Sequence, residues 1–541
     1  MATKKRRRKG RPSAGAGYPI VAAGSSDTRP LSVSQADRSV DRCLNLFSLD
    51  SLVTRAHEMT AHSFMQSLRA PAGEELVEHY ERCASVIRAR RTVREAIVRR
   101  AGRSPNGAEM TLQEFERAAN LVWDWIFAGE IERLDTEPDA LHVVMQRIIA
   151  SQYEDQAPLN TLPRHVALAR RTIKVAESRG LQLSTLFSDT FGLAFEELLK
   201  VSLHVAACAG ASSSIPAAGI ALSDNTTVDL ALLPQFWEMC ALDYEEFAEY
   251  AQNPQVQFAD LESYGLSPTI SWPILRRTDG AYVVPVMHDL IYRVGRSFPF
   301  DARQAAGRSN VDLLDDARGR AFETFVGDIL RGTSGAGSVR HADEVLHATA
   351  EGKRCDWICI DGNGGRTTLV ETKAAHLPLK TAVSPTPENR SAYIGRKGGI
   401  ADAVAQIDDT ARAIRNGHSH LSPRTKLMGL VVIDGPQVLL NDPATREAVT
   451  EVLEARGRPK PAIRYQVAHS DGLVQLVLSA SAGASMWEQL HTKHIRRPDR
   501  YADMSQIGLP PEASSMAIHP ALGAMADELR EIWADMLPAT G

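Results

Sequence analysis

The sequence lacks the features that mark a membrane protein, a secreted scaffold or a structural zinc domain. No run of about 18 uninterrupted apolar residues occurs, so no segment is expected to span a bilayer. No basic, apolar and small-residue succession opens the chain, so no secretory leader is expected. Cysteine is scarce: there are six in 541 residues, at positions 43, 83, 208, 240, 355 and 359, and none has zinc-type spacing. These thiols are expected to be buried and reduced in a cytoplasmic protein. A strong excess of one charge is also missing. The formal net charge is −5, so attraction to nucleic acid has to come from local basic patches. The glycine-rich stretch Gly332 to Gly337 lacks the Lys-Ser/Thr ending of a phosphate-binding loop and reads as a linker.

What is present fits a soluble chain of two large domains with tails, since this length exceeds a single core. Hydrophobic residues make up 44% and charged residues 23%, as in ordinary globular proteins. Residues 1–38 are basic, then rich in small residues and proline, and are expected to be disordered. Their run Lys4-Lys5-Arg6-Arg7-Arg8-Lys9-Gly10-Arg11-Pro12 is the densest cationic stretch. Its end resembles the Gly-Arg-Pro core of an AT-hook, which slips arginines into a minor groove. Arg6, Arg7, Arg8 and Arg11 are therefore nucleic-acid-binding candidates, with a merely solvated arm as the alternative.

Residues 39–265 carry helical periodicity. Thr111-Leu112-Gln113-Glu114 is a capping box before a helix with Phe115, Val122, Trp125 and Ile126 on one face. Arg88, Arg90, Arg91, Arg94, Arg99 and Arg100 form either a solvated helix face or a track for phosphates. Residues 266–305 read as a connecting segment: strands at 269–275 and 281–285 around Asp279-Gly280, then a helix from Met287 to Gly295. Residues 306–482 alternate helix and strand, an α/β domain with a mixed central sheet. Its expected order is a helix from Val311 to Leu330, a strand at 345–349, a hairpin, and a polar loop at 376–398. A helix from Gly399 to Asn416, a strand from Lys426 to Ile433 and a helix from Asp442 to Ala455 come next. The strands Ile463 to Val467 and Leu473 to Leu478 complete it. Residues 483–541 form a helical and loop extension. The fold class is thus α+β and multidomain, with a mostly helical N-terminal domain.

The chemistry concentrates in the hairpin. Asn363-Gly364 best supplies the positive φ angles of a two-residue turn. Counting outward from that turn sets Asp356 opposite Glu371, with Cβ atoms about 5 Å apart. Like charges so placed are destabilising, and a divalent cation would offset them. Side chains alternate, so Asp356, Ile358 and Ile360 share a face with Leu369, Glu371 and Lys373. Hard oxygen ligands suit Mg²⁺ or Mn²⁺. Lys373 is placed to hold or deprotonate an attacking water, or to stabilise charge on a phosphoryl oxygen.

This helix, three strands, helix and strand, with Asp356 before Glu371-Thr372-Lys373, resembles the PD-(D/E)XK nuclease superfamily, the restriction-endonuclease-like fold. The resemblance covers residues 306–482. It implies that Asp356, Glu371 and the Thr372 carbonyl bind the metal and that Lys373 activates water. It further implies that Glu323 on the preceding helix assists. Cys355 stands where the family commonly has proline or glycine. Arg396, Lys397 and Gln406 are further nucleic-acid-contact candidates, and His376 reads as a loop histidine. The expected activity is Mg²⁺-dependent phosphodiester hydrolysis of DNA, with RNA as the alternative substrate, in defence against foreign DNA. A homodimer or a partner protein held by the helical domain is also expected. Two other readings stand beside it: an inactive nuclease-like module that binds DNA or protein, and a scaffold acting through the helical half.

Overall fold

Ser32 caps the first described helix: its N–H donates to Gln35 Oε1 at 3.1 Å, and helix α1 (Val33–Leu44) starts at the next residue. Residues 33–38, expected to belong to the tail, are therefore helical. The computed structural model describes residues 32–69, 76–100, 106–134, 158–220, 228–252, 268–350, 352–362, 365–374, 387–434, 441, 443–496 and 519–534. The basic run with Arg6, Arg7, Arg8 and Arg11, the Asn363-Gly364 turn and His376 lie outside these residues.

Helices α2 (Leu49–Arg69), α3 (Leu76–Arg99) and α4 (Leu112–Leu134) follow. The capping box is made as expected: Thr111 N–H donates to Glu114 Oε2 at 2.8 Å, and Glu114 N–H to Thr111 Oγ1 at 3.2 Å. Phe115, Val122 and Ile126 of α4 share a core with Leu52 of α2 and Val93 and Ile97 of α3. Four of the six arginines are a correction to both sequence readings, because Arg90, Arg91, Arg94 and Arg100 are buried. Arg90 donates to Asp289, with Nε to Oδ1 at 3.1 Å. Arg94 pairs with Glu95 at 2.5 Å and Arg99 with Asp37 at 2.6 Å. The guanidiniums of Arg90 and Arg94 thus meet acceptors inside the protein rather than phosphates outside it.

A second core gathers α5 (Pro158–Ser178), α6 (Leu183–Phe191), α7 (Phe195–Ala211) and α8 (Leu233–Cys240). Strand β1 (Ala241–Leu242) precedes helix α9 (Tyr244–Gln252). The expected strand at 269–275 is shorter, because Pro268–Ser271 winds into a helical turn that proline favours at its first position. Strand β2 (Ile274–Arg276) pairs antiparallel with β3 (Tyr282–Val283) across a turn where Gly280 has φ +82°, and parallel with β1. Helix α10 (Met287–Gly295) forms where the periodicity placed it and is buried along its whole length. Helices α11 (Phe298–Ala306) and α12 (Val311–Arg331) follow.

The C-terminal half holds a five-stranded sheet, β4 (Ser338–His341), β5 (Trp357–Ile360), β6 (Arg366–Lys373), β7 (Lys426–Ile433) and β8 (Tyr465–His469), in that spatial order. The first three strands are antiparallel and the last three parallel. Alternation divides the apolar side chains cleanly. Trp357, Cys359, Val370, Leu430 and Val432 meet Phe322, Phe325 and Ile329 of α12 on one face. Ile358, Leu369, Val431 and Ile433 meet Val404, Ile407 and Ala411 of α13 (Ile400–Arg415) on the other. Helix α14 (Pro443–Ala455) packs on the α13 side.

Three expectations fail here. The first strand lies at 338–341, not 345–349; the apolar residues Val345 and Leu346 belong to a helical turn (Ala342–Val345) and an isolated bridge to Ser419. Leu473 to Leu478 is helical, within α15 (Ser470–Ser481). The run is apolar but for Gln475, and so short a stretch carries no period that separates strand from helix. Pro387–Gly395, expected in a loop, is a helix. Among the described residues, Cys43, Cys208, Cys240, Cys355 and Cys359 carry free thiols, and no helix is long and apolar enough to cross a membrane.

Candidate active site

The register of the hairpin is the one the turn implied: Trp357 pairs with Val370, Ile358 with Leu369, Cys359 with Thr368 and Ile360 with Thr367. The pairing then ends. β6 continues beside β7 through Glu371, Thr372 and Lys373 after β5 has stopped, which opens one edge of β6. Asp356 fills that opening, but not as the direct partner of Glu371. Its N–H donates to the Val370 carbonyl at 3.1 Å, so Asp356 and Trp357 share one partner, as in a β-bulge. A bulge re-aims a side chain. On its other edge the Asp356 carbonyl accepts from Ala342 N–H at 3.1 Å, which fixes the backbone.

The carboxylate of Asp356 is held by Thr372, whose N–H and hydroxyl donate to Oδ2 at 2.7 Å and 2.5 Å. Lys373 spends its carbonyl on the Asp434 N–H at 3.0 Å. Alternation therefore turns the Thr372 carbonyl to the opposite edge, toward Asp356.

Glu371 is the buried member of the set, 1% exposed. Its Oε1 accepts from Lys373 Nζ, while Oε2 has no hydrogen-bond partner. Burial first, and then the negative charge of Asp356, push its carboxyl up to about 8, against the pull of Lys373. Lys373 also donates to Gln406 Oε1 at 2.8 Å, so Gln406 of α13 is placed in the site, on the amine. Glu323 of α12 approaches from the other face of the sheet. Its carboxyl is raised by burial and then by Asp356, and lowered by His341. The three acids thus feel one another although no single strand carries them.

His341 was invisible in the sequence reading. It ends β4 opposite Trp357, with Nε2 3.4 Å from Glu323 and Nδ1 3.5 Å from Asp343. Its ring stands edge-on to Trp357, 5.4 Å between centroids. Only the sheet brings it here, and no spacing in the chain signals that. Cys355 is buried, and its N–H donates to Thr410 Oγ1 at 2.9 Å. Arg396 and Lys397 lie in the turn before α13, Lys397 exposed and Arg396 4.6 Å from the Tyr393 ring. Gln406 is between one and two turns farther along that helix.

Among the described residues no group of three or more His, Cys, Asp or Glu side chains stands ready to hold a metal ion. A Mg²⁺ ion requires less, since it takes one or two carboxylates and keeps several waters. The donors fit that demand. Two hard carboxylates and a main-chain carbonyl converge on one edge, and a buried carboxylate oxygen there lacks a partner. Comparison with protein-family models, with curated proteins and with solved structures finds no match to this chain.

Proposed function

We propose that this chain is a divalent-metal-dependent nuclease that hydrolyses phosphodiester bonds of DNA. The same reading gives its C-terminal half the restriction-endonuclease-like fold of the PD-(D/E)XK superfamily. The observation that carries it is Glu371: a carboxyl at 1% exposure, pushed up to about 8, with an oxygen bonded to nothing and a second acid beside it. Such an arrangement is costly unless a cation completes it. The order helix, three antiparallel strands, helix and parallel strand supports the fold assignment.

Asp356, Glu371 and the Thr372 carbonyl would hold Mg²⁺ or Mn²⁺, which when bound lowers the pKa of water and neutralises charge on a phosphoryl oxygen. Thr372 orients Asp356 through two hydrogen bonds, so that carboxylate needs no rearrangement to receive a ligand. Lys373 carries three N–H donors, and Gln406 holds the amine in place. The amine orients the attacking water, whose oxygen joins phosphorus as the bond to the leaving oxygen breaks. Glu323, steadied by His341, exchanges a proton through solvent. The cationic residues of the N-terminal arm, Arg6 to Arg8 and Arg11, and Arg396 and Lys397, supply attraction to the phosphate backbone. Defence against foreign DNA is the role in which such an activity is used.

The test is a cleavage panel with the full chain: plasmid, single- and double-stranded DNA and RNA oligonucleotides, each with Mg²⁺, Mn²⁺ or EDTA. DNA should be cut in Mg²⁺ and spared in EDTA. Asp356→Ala and Lys373→Ala should each lose roughly 100-fold or more in rate, with circular dichroism and DNA binding retained. Metal-dependent cutting of RNA alone would move the substrate assignment. Intact substrate under every metal, with DNA still bound, would leave a binding module in place of the enzyme.

A further inference from the structure

The helical half contains a cavity of about 510 Å³, within the range of about 300–1,000 Å³ of small-molecule sites. It lies between the C-terminal end of α6, helices α8, α10 and α11, and Trp272. None of the residues assigned to phosphodiester hydrolysis lines it. Its polar wall is a buried ion pair: Arg293 of α10 donates through Nη1 to Asp301 of α11, with side chains 7% and 10% exposed. The pair leaves the buried Arg293 Nε–H without an acceptor. Unsatisfied buried donors are uncommon and costly. Phe191, Trp272 and Phe300 supply the flat apolar surface, and Phe300 stands 63% exposed. Glu238, exposed on α8, adds a carboxylate.

We infer that this cavity binds an amino-substituted purine base of the guanine type. The charges narrow the choice. Asp301 balances Arg293, so Glu238 leaves the lining with a net negative charge and disfavours a phosphate inside. Guanine offers two acceptors, O6 and N7, on the edge that a guanidinium recognises, and an exocyclic amine donor elsewhere on the ring for a carboxylate. Its ring stacks on aromatic side chains. Adenine puts an amine where the guanidinium meets O6, and pyrimidines offer less stacking surface. The base arrives either as a free nucleoside or as an unpaired base of a nucleic acid. The chemistry is the same in both cases.

Equilibrium dialysis of the full chain separates these sources. The probes are guanosine, adenosine, cytidine and a short oligothymidylate carrying one unpaired guanine. Guanosine should saturate one site per chain, with adenosine and cytidine at least about tenfold weaker. Glu238→Gln, an exposed substitution, should weaken guanosine about tenfold without moving Tm, and Phe300→Ala several-fold. If guanosine fails but the guanine-bearing strand binds with the same sensitivity to Glu238→Gln, the base comes from nucleic acid and the site stands. Absence of saturable binding by both probes, or binding indifferent to both substitutions, overturns it. Glu371→Gln should leave guanosine affinity unchanged, so this result and the cleavage assay succeed or fail separately.

Discussion

At Glu371 the cost of burying a negative charge becomes a pH effect. The carboxyl rises from an ordinary 4.5 to about 8 in the folded protein, so the folded state holds the proton more tightly than the unfolded one. Stability from this group is intact below pH 4.5 and is lost as pH climbs toward about 8. Without divalent cation, Glu371→Gln should therefore become more stable than the parent between pH 5 and pH 8.5, by a few kcal/mol at the upper end. Chemical denaturation at several pH values reads this directly, and Mg²⁺ at pH 8 should restore only the parent. A gap that does not change with pH would show that Glu371 is ionised without penalty. Gln406→Leu removes the amide that steadies Lys373 and should slow cleavage roughly tenfold with little change in KM, as measured in Mg²⁺. The register of the hairpin from Trp357–Val370 to Ile360–Thr367 was legible because a two-residue turn fixes a count along the chain, although the count misplaced Asp356 opposite Glu371. His341 and the Asp356 bulge were not, since both depend on a neighbour strand that no local spacing announces.

Elements with a clean helical stripe or a bounded β-branched run were read well, and a short apolar run with neither was not. The helix α13 and the strand β7 fall within a residue of the expected bounds, α13 because its period of 3.6 is clean and β7 because its apolar, β-branched run, buried on both faces, is bounded by Lys426 and Asp434. Leu473 to Leu478, apolar but for the half-buried Gln475, is too short to show either period, and its leucines and valines made helix look like strand. The arginines of α3 misled for another reason: charge on a helix usually marks a solvated face, yet here Asp289 and Glu95 wait inside. Removing one partner of such a pair is expensive. Arg90→Ala should cost about 3–5 kcal/mol by urea denaturation while leaving the salt dependence of nucleic-acid binding unchanged. Helix α12 makes a second demand. A Cβ on Gly327 would stand 2.3 Å from the Trp357 ring, so the helix approaches the sheet only because that position is glycine. Gly327→Ala should destabilise by about 1–3 kcal/mol, visible as a lowered denaturation midpoint.

Across the molecule, the sequence divided the chain at 306, and the two parts do differ in kind: helices with a small three-stranded sheet before, a five-stranded mixed sheet flanked by helices after. The cores do not respect the division. Leu314 and Ala317 at the start of α12 lie in the helical core, whereas Phe322, Phe325 and Ile329 of the same helix lie on the sheet. Helix α5 crosses in the same way, with Leu162 and Val166 on one side and Ala167 and Leu168 on the other. A chain cut at 306 would expose the first turns of α12 to water and should be recovered largely insoluble. One beginning at 158 keeps both crossings and should stay in solution, by size-exclusion chromatography. Two shafts seated in both masses leave no swivel between them. Heating should accordingly yield a single calorimetric endotherm rather than two, and a jolt delivered to the helical mass should be felt at Glu323 on the sheet side.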